Sequence, residues 1–196
     1  MKIEIRKLKP EDAENYVTFF DTTPHYENEI DYKCYCVNWC SDRVKGNPWP
    51  ALAEERRIQA IKRVQAGNIQ GYLAYHGDKI VGWCNAITKA DVKANLDWLR
   101  NSSGVPVEYL EGENGKFIFC FAIAPKMQRL GIATQLLQYV CQDAITEDFD
   151  FVEGFSNKDF TDKANEFRGP LAMYEKCGFS IHAEHKGKLV VRKSLG

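Results

Sequence analysis

The spacing of hydrophobic positions predicts a short strand and two helices in the first third of the chain. Ile3 and Ile5 alternate with charged residues, which is typical of a strand with one face on a core. Pro10 suits the first turn of a helix, and Pro50 opens a second helix that ends before Gly67. The apolar positions at helical spacing are Ala13, Tyr16, Val17 and Phe20 in the first helix and Ile58, Ile61 and Val64 in the second.

The middle of the chain predicts a hairpin, a long insertion and a parallel β–α–β unit. Residues 71–76 and 79–87 have the composition of paired strands, and residues 88–115 follow as an irregular insertion. A connection of this length in a compact domain is usually functional or disordered. The apolar run 116–123 predicts a central strand buried on both faces. An amphipathic helix then leads to a strand at 151–155, which should be parallel to the central one.

A short helix and a second hairpin complete the predicted domain. The helix starts at Pro170 and stops at Gly178, and the hairpin strands are 179–185 and 188–194. The resulting order, β α α β β β α β α β β, predicts a mixed α/β sheet domain with flanking helices.

Composition narrows the class of protein. The chain has 196 residues, 44% of them hydrophobic and 27% charged, which is typical of a single globular domain spanning residues 1–196. The 26 Lys and Arg nearly balance the 27 Asp and Glu, so no nucleic-acid partner is expected. No stretch approaches the ~20 apolar residues of a membrane helix, and no membrane interaction is expected.

The seven cysteines provide evidence on both the cellular location of the protein and its capacity to bind metal. Their odd number, and an N-terminus without an apolar run after its charges, favour a cytoplasmic location. Cys34, Cys36 and Cys40 lie beside His25 and suggest zinc, but no second ligand pair follows. We therefore expect these cysteines to pack as small apolar residues, and no metal. Three further cysteines are predicted to pack inside strands or helices: Cys84, Cys120 and Cys141.

The segment between the central strand and the long helix carries the clearest chemistry. It reads Gln128-Arg129-Leu130-Gly131-Ile132-Ala133, and Gly131 lets a ligand approach the backbone without a Cβ in the way. The first N–H groups of a helix have no internal partner and favour an anion such as a pyrophosphate. The alternative is a glycine that only allows tight packing. The segment matches neither a Rossmann fingerprint nor a P-loop.

Two motifs together resemble the GNAT acetyltransferase superfamily. The first is Ala122-Ile123-Ala124-Pro125 followed by Gln128–Ala133, which is similar to the family signature Q/R-x-x-G-x-G/A. The second is Met173-Tyr174-Glu175-Lys176-Cys177-Gly178-Phe179. The likeness in element order covers most of the chain. It implies a GNAT-like acyl-CoA N-acyltransferase fold and acetyl-CoA, or a close acyl-CoA, as the donor.

The resemblance also implies the donor-binding residues. Backbone amides would hold the pyrophosphate, and the end of the central strand would pair with the pantetheine arm where two parallel strands splay apart. The residues concerned are Ile123, Gln128, Arg129, Leu130, Gly131, Ile132, Ala133 and Thr134.

Tyr174 and Glu153 are the two catalytic candidates. Tyr174 resembles the family's general acid, since a phenol with a pKa near ~10 can protonate the leaving thiolate; the alternative is a core aromatic residue. Glu153 is the best general-base candidate, acting directly or through water, and its alternative is a solvated charge at a strand end. Glu111 and Glu113 are weaker candidates. The chain departs from many relatives by Phe167 where they have Asn; nearby residues that could substitute are Asn157 and Asn165.

Three functions are compatible with these motifs. The favoured one is an N-acetyltransferase that transfers acetyl from acetyl-CoA to a primary amine of a small molecule or peptide. The others are a non-catalytic acyl-CoA-binding module and a zinc-stabilised interaction protein.

Acceptor contacts should come from residues 21–49, which have no firm assignment of secondary structure, and from residues 88–115. Candidate contacts are Trp39, Trp49, Trp98 and Glu108. A homodimer is compatible with the sequence, which carries no signal for oligomeric state.

Overall fold

The computed structural model describes residues 1–23, 33–41, 52–93, 114–158 and 167–196, and their strands form one sheet. The strand order is β1-β2-β3-β4-β5-β7-β6. All neighbours are antiparallel except β4 and β5, which are parallel as predicted. The strands are β1 (Glu4–Lys7), β2 (Gly71–His76), β3 (Lys79–Thr88), β4 (Gly115–Ile123), β5 (Phe151–Asn157), β6 (Ser180–His185) and β7 (Lys188–Ser194).

Helices flank the sheet in the predicted order, with one short addition. The helices are α1 (Ala13–Asp21), α2 (Ala53–Gln65), α3 (Lys89–Lys93), α4 (Ile132–Thr146) and α5 (Leu171–Lys176). Short 3-10 turns lie at Pro10–Asp12 and Pro125–Met127. The addition is α3, which occupies the start of the predicted irregular insertion, while residues 94–113 lie outside the described ones. None of the described helices is long and apolar enough to cross a membrane.

The core lies on both faces of the sheet. On one face, called here the donor face, α4 and α5 cover residues such as Tyr72, Ile118 and Val152. On the other, called the acceptor face, α1, α2 and residues 33–41 cover Trp83 and its neighbours. The predicted stripe of α1 is confirmed, because all four of its residues are buried. The helix predicted to be amphipathic, α4, buries one face: Ile132, Leu136, Leu137, Val140, Cys141 and Ala144.

The predicted stripe of α2 is partly wrong. Val64 is buried as expected, but Ile58 is 47% exposed, and the buried positions besides Val64 are Arg56 and Ala60. The reason is a polar contact: Arg56 turns inward because its Nε donates to the Lys33 carbonyl at 2.8 Å. The helix face is therefore selected by the segment 33–41 and not by apolar periodicity alone.

A buried lysine joins α4 to the sheet at the end remote from Gly131. Lys116 of β4 is buried, and its Nζ donates to the Tyr72 hydroxyl at 2.6 Å. The same ammonium contacts the carboxylates of Asp143 and Glu147 near the end of α4. These ion pairs hold the C-terminal end of α4 against the sheet.

Candidate active site

The parallel strands β4 and β5 part in the middle of the sheet. Their register runs from Gly115 opposite Phe151 to Ile118 opposite Gly154 and stops there, although both strands continue. On the other side of β4, Cys120 and Ile118 pair with consecutive residues of β3, so Phe119 is an extra residue, a β-bulge. A bulge bends its strand, so β4 bends where it leaves β5. The gap leaves a strand edge to which an extended ligand can add.

The segment after β4 presents uncapped backbone amides to open space. Arg129 and Gly131 both have left-handed φ angles, 62° and 78°, and α4 begins at Ile132. No side-chain hydrogen bond caps α4 in the described part of the chain. A Cβ at Gly131 would meet no atom within 4 Å, so tight packing does not explain this glycine. Its φ requires glycine, and the open space fits an anion at the helix N-terminus.

The predicted donor-binding residues are exposed or half-buried, with one exception. Gln128, Arg129, Leu130 and Gly131 are exposed, and Ala133 and Thr134 are half-buried. Ile132 is buried in the donor-face core, so only its backbone faces the ligand side. The Gln128 side chain donates to the Ile123 carbonyl at 3.3 Å and links this segment to the end of β4.

Tyr174 lies where the two strands part. Its side chain is fully buried between Phe121 and Phe179, and its hydroxyl donates to the Arg168 carbonyl at 2.8 Å. A Cβ on Gly154, the last residue of β5 that pairs with β4, would be 2.7 Å from that hydroxyl. Burial raises the pKa of Tyr174 well above its ordinary value of 10.0, so the phenol keeps its proton at neutral pH.

Glu153 lies on the acceptor face within a buried cluster of three charges. Its Oε2 accepts from Lys89 Nζ at 2.7 Å, and its Oε1 accepts from Arg192 Nε at 2.7 Å. The residue is completely buried, so its interpretation as a solvated strand-end charge is wrong. The role as general base stays a prediction. The contacts also give this carboxylate a second role, because they join the end of β3 to β5 and β7.

Comparison with known proteins identifies the family of this chain. Residues 31–179 match the Acetyltransferase (GNAT) family. The chain belongs to the GNAT acetyltransferase family. No curated protein matches it significantly by sequence.

Solved structures of GNAT and related proteins share the fold over the whole chain. A mosquito arylalkylamine N-acetyltransferase like 5b is 15% identical, with a TM-score of 0.59 over 99% of this chain and 100% of that one. The PaiA N-acetyltransferase from Thermoplasma acidophilum, in complex with coenzyme A, is 14% identical, with a TM-score of 0.57 over 99% of both chains. A GNAT acetyltransferase from Streptococcus pneumoniae is 16% identical, with a TM-score of 0.55 over 100% of both. The predicted GNAT-like fold is confirmed.

Of the other candidate residues on the donor or the acceptor side, the structure describes Phe167, Trp39 and Asn157. Phe167 packs at the edge of the acceptor-face core, with the Arg168 guanidinium 5.3 Å from its ring centre. Trp39 stacks on Phe119 at the bulge, 4.4 Å between ring centres. Asn157 ends β5. The remaining candidates lie outside the described residues: His25, Trp49, Trp98, Glu108, Glu111, Glu113 and Asn165.

The cysteines of the GNAT domain pack as predicted. Cys84, Cys120 and Cys141 are buried in the strand and helix interiors assigned to them. In the segment 33–41, Cys36 faces Cys120, whereas Cys40 donates to the Val37 carbonyl at 3.1 Å. Among the described residues, no three metal-ligating side chains converge.

Several residues of the site were not predicted from the sequence, among them Gly154, Phe119 and the Glu153 partners Lys89 and Arg192. A glycine inside a strand can mark close approach of another group, and that signal was available at Gly154. The bulge at Phe119 had no local signal, because the apolar run around it is uniform in composition.

Proposed function

We propose that this protein is an N-acetyltransferase that uses acetyl-CoA to acetylate a primary amine of a small molecule or peptide. The observation that carries the proposal is the position of the protonated Tyr174 hydroxyl beside Gly154, where β4 and β5 part. A proton donor at that gap is what departure of a thiolate needs. The coarser assignment, a GNAT acetyltransferase, rests on the family match.

The donor side of the proposal rests on backbone geometry. The amides of residues 128–134 would hold the pyrophosphate, and the end of β4 at Ile123 would pair with the pantetheine arm. The uncapped start of α4 and the open space at Gly131 fit such a group. The presence of coenzyme A in the PaiA structure is consistent with this assignment. When bound, the thioester supplies the acyl group.

On the acceptor side, the chain's residues position and deprotonate the amine. Trp39, Phe119 and Phe155 form an aromatic wall near the gap, with Phe117 behind it. The amine loses its proton before its nitrogen attacks, and Glu153 is the proposed base. Tyr174 holds its proton on Oη and releases it toward the departing sulfur.

A second candidate is a non-catalytic acyl-CoA-binding module. It is favoured by one observation, which is that both catalytic candidates already form hydrogen bonds. The Tyr174 hydroxyl donates to the Arg168 carbonyl, and the Glu153 carboxylate accepts from Lys89 and Arg192. Such a module would use the same loop after β4 without transferring the acyl group.

Product analysis distinguishes the two candidates. The protein is incubated with acetyl-CoA and a broad panel of amines, and coenzyme A and acetylated amine are quantified by chromatography and mass spectrometry. This readout avoids interference from the chain's own seven cysteines. Equal amounts of both products are expected. Tight acetyl-CoA binding without product from any amine would favour the binding module instead.

The proposal also includes a location and partners. A cytoplasmic location would supply acetyl-CoA and keep the cysteines reduced. The proposed partner is the amine acceptor, with neither nucleic acid nor membrane, and a homodimer is compatible with the sequence.

A further inference from the structure

Two cysteines from distant parts of the chain face each other beside the candidate active site. The sulfurs of Cys36 and Cys120 are 3.0 Å apart, although the residues are 84 positions apart in sequence. This distance is only about 1 Å longer than the S–S bond of a disulfide. Both side chains are buried, so the contact belongs to the packed interior of the domain.

The backbone around Cys36 is held firmly in this position. Tyr35 and Cys36 both have left-handed φ angles, 45° and 53°, which non-glycine residues rarely adopt. Such a conformation persists only where neighbouring groups impose it. Here the Tyr16 hydroxyl donates to the Tyr35 carbonyl at 3.0 Å, and Arg63 donates to the Val37 carbonyl at 2.8 Å. Together with the bond from Arg56, these contacts keep Cys36 against β4.

The location of Cys120 connects the pair to the gap between the strands. Cys120 follows the bulge residue Phe119 on β4. Three residues beyond Cys36, Trp39 stacks on Phe119. The segment 33–41 therefore touches the bulge of β4 both through the sulfur pair and through the aromatic stack.

We propose that Cys36 and Cys120 are a redox modification site, which a small hydroperoxide converts from a dithiol to a disulfide. The Cys36 sulfur attacks one peroxide oxygen and the O–O bond breaks. The thiol proton goes to the departing oxygen, so a sulfenic acid and one water or alcohol result. The Cys120 sulfur then attacks the sulfenic sulfur and releases water. In total the two thiols lose two protons and two electrons, and the peroxide gains them.

The electrostatic surroundings make the reduced pair resistant to ordinary alkylation. Burial raises the pKa of the Cys36 thiol well above its ordinary value of 9.0, and Cys120 adds to this rise. Contacts with the Trp83 and Asn85 side chains act in the opposite direction without offsetting burial. Because both thiols are buried, the oxidant reaches them only when the segment 33–41 opens transiently. A small hydroperoxide needs less opening than a bulky alkylating reagent.

The functional consequence rests on the proposed acetyltransferase activity. Closing the bond draws the segment 33–41, including Trp39, toward the bulge on the acceptor face. Misplacement of a substrate-positioning group by ~1 Å can change turnover strongly. We expect oxidation to raise the KM for the amine more than the KM for acetyl-CoA.

Thiol mapping tests the site without reference to activity. The reduced full-length chain is exposed to hydrogen peroxide, denatured, alkylated and digested with trypsin without reduction. Intact mass should show five alkylated cysteines instead of seven. The peptides 34–43 and 117–126 should appear cross-linked, and fragmentation should place the bond on Cys36. This result in the wild type does not depend on the folding of any variant.

Variants add a matched comparison. Cys36→Ser and Cys120→Ser should each abolish the cross-link, while Cys40→Ser, a buried cysteine of the same segment, should retain it. Peroxide treatment that leaves all seven thiols alkylated, or a cross-link through Cys34 or Cys40 instead, would overturn the proposal. An inactive protein that still forms the Cys36–Cys120 bond would refute only the acetyltransferase function.

Discussion

At the scale of single residues, burial controls the protonation of Tyr174, and the backbone angle of Gly131 shapes the start of α4. The phenol is kept protonated because burial raises its pKa, and Gly154 provides the space for its hydroxyl. The glycine has a left-handed φ and faces open space. The role of each residue can be tested by a substitution that removes or adds one small group. For each, a similar residue elsewhere in the chain provides the control variant.

Replacing Tyr174 by Phe should reduce kcat far more than it weakens acetyl-CoA binding. The substitution removes the proton donor and also a buried hydrogen bond worth about 1 kcal/mol of unfolding free energy. Steady-state kinetics and chemical denaturation measure the two effects. Tyr72→Phe is the control, since it also removes a buried hydroxyl but lies outside the gap. Equal kcat values for wild type and Tyr174→Phe would remove the general-acid assignment.

Replacing Gly131 by Ala should weaken acetyl-CoA binding and cost about 1 kcal/mol of stability, because L-residues are strained at a φ of 78°. Gly67→Ala is the control: its φ is 74°, and its added Cβ also meets no atom within 4 Å. Calorimetric titration should give a higher Kd for Gly131→Ala alone, at similar stability. The same Kd in both variants would argue against an anion site at the start of α4.

At the scale of elements, the buried charge cluster holds strands together on the acceptor face. Glu153 accepts from Lys89, which starts α3, and from Arg192 on β7. Removing this carboxylate would break both ion pairs at once, and breaking a buried ion pair by removing one partner is strongly destabilising. The cluster is adjacent to the last paired residues of β4 and β5.

Replacing Glu153 by Gln should lower the unfolding free energy by about 3 kcal/mol, since it breaks the ion pairs of a buried carboxylate by removing one partner. The control is Glu184→Gln, which loses an exposed pair with Lys158 and should cost at most about 1 kcal/mol. The pH–rate profile separates structure from catalysis. If Glu153 is the base, its variant loses the acidic limb of kcat; an unchanged limb places the base elsewhere.

At the scale of the whole molecule, ion pairs at the far end of α4 join the helix to the sheet and make stability depend on pH. Burial acts to raise the pKa of Glu147, but hydrogen bonds from Lys116 and Lys7 outweigh it and lower the pKa below 4.5. A carboxylate with a lowered folded-state pKa stabilises the fold above its unfolded pKa. That contribution is lost as pH falls through the folded value.

Glu147→Gln should therefore be less stable than wild type at pH 7, and the difference should shrink as pH falls below 4.5. Urea unfolding at several pH values measures this difference, with the exposed Glu11→Gln as control. A difference that stays constant down to pH 3 would show that the side chain contributes by packing and not by charge.

Much of the fold followed from local patterns, because periodicity reports which face of an element is buried. The stripes of α1 and α4, the parallel strands, and the glycine before α4 were all readable in this way. The face of α2 was not, because Arg56 is buried by a hydrogen bond to Lys33, a residue 23 positions away. Periodicity carries no information about such a partner.

The sequence by itself determined the order of elements, the donor-side motifs and the family resemblance, since these depend on short stretches of consecutive residues. Only the tertiary structure decided that Glu153 is buried between Lys89 and Arg192, and that Cys36 meets Cys120. The physical reason is that both contacts join residues far apart in the chain. They form only when sheet register and loop packing bring those residues together.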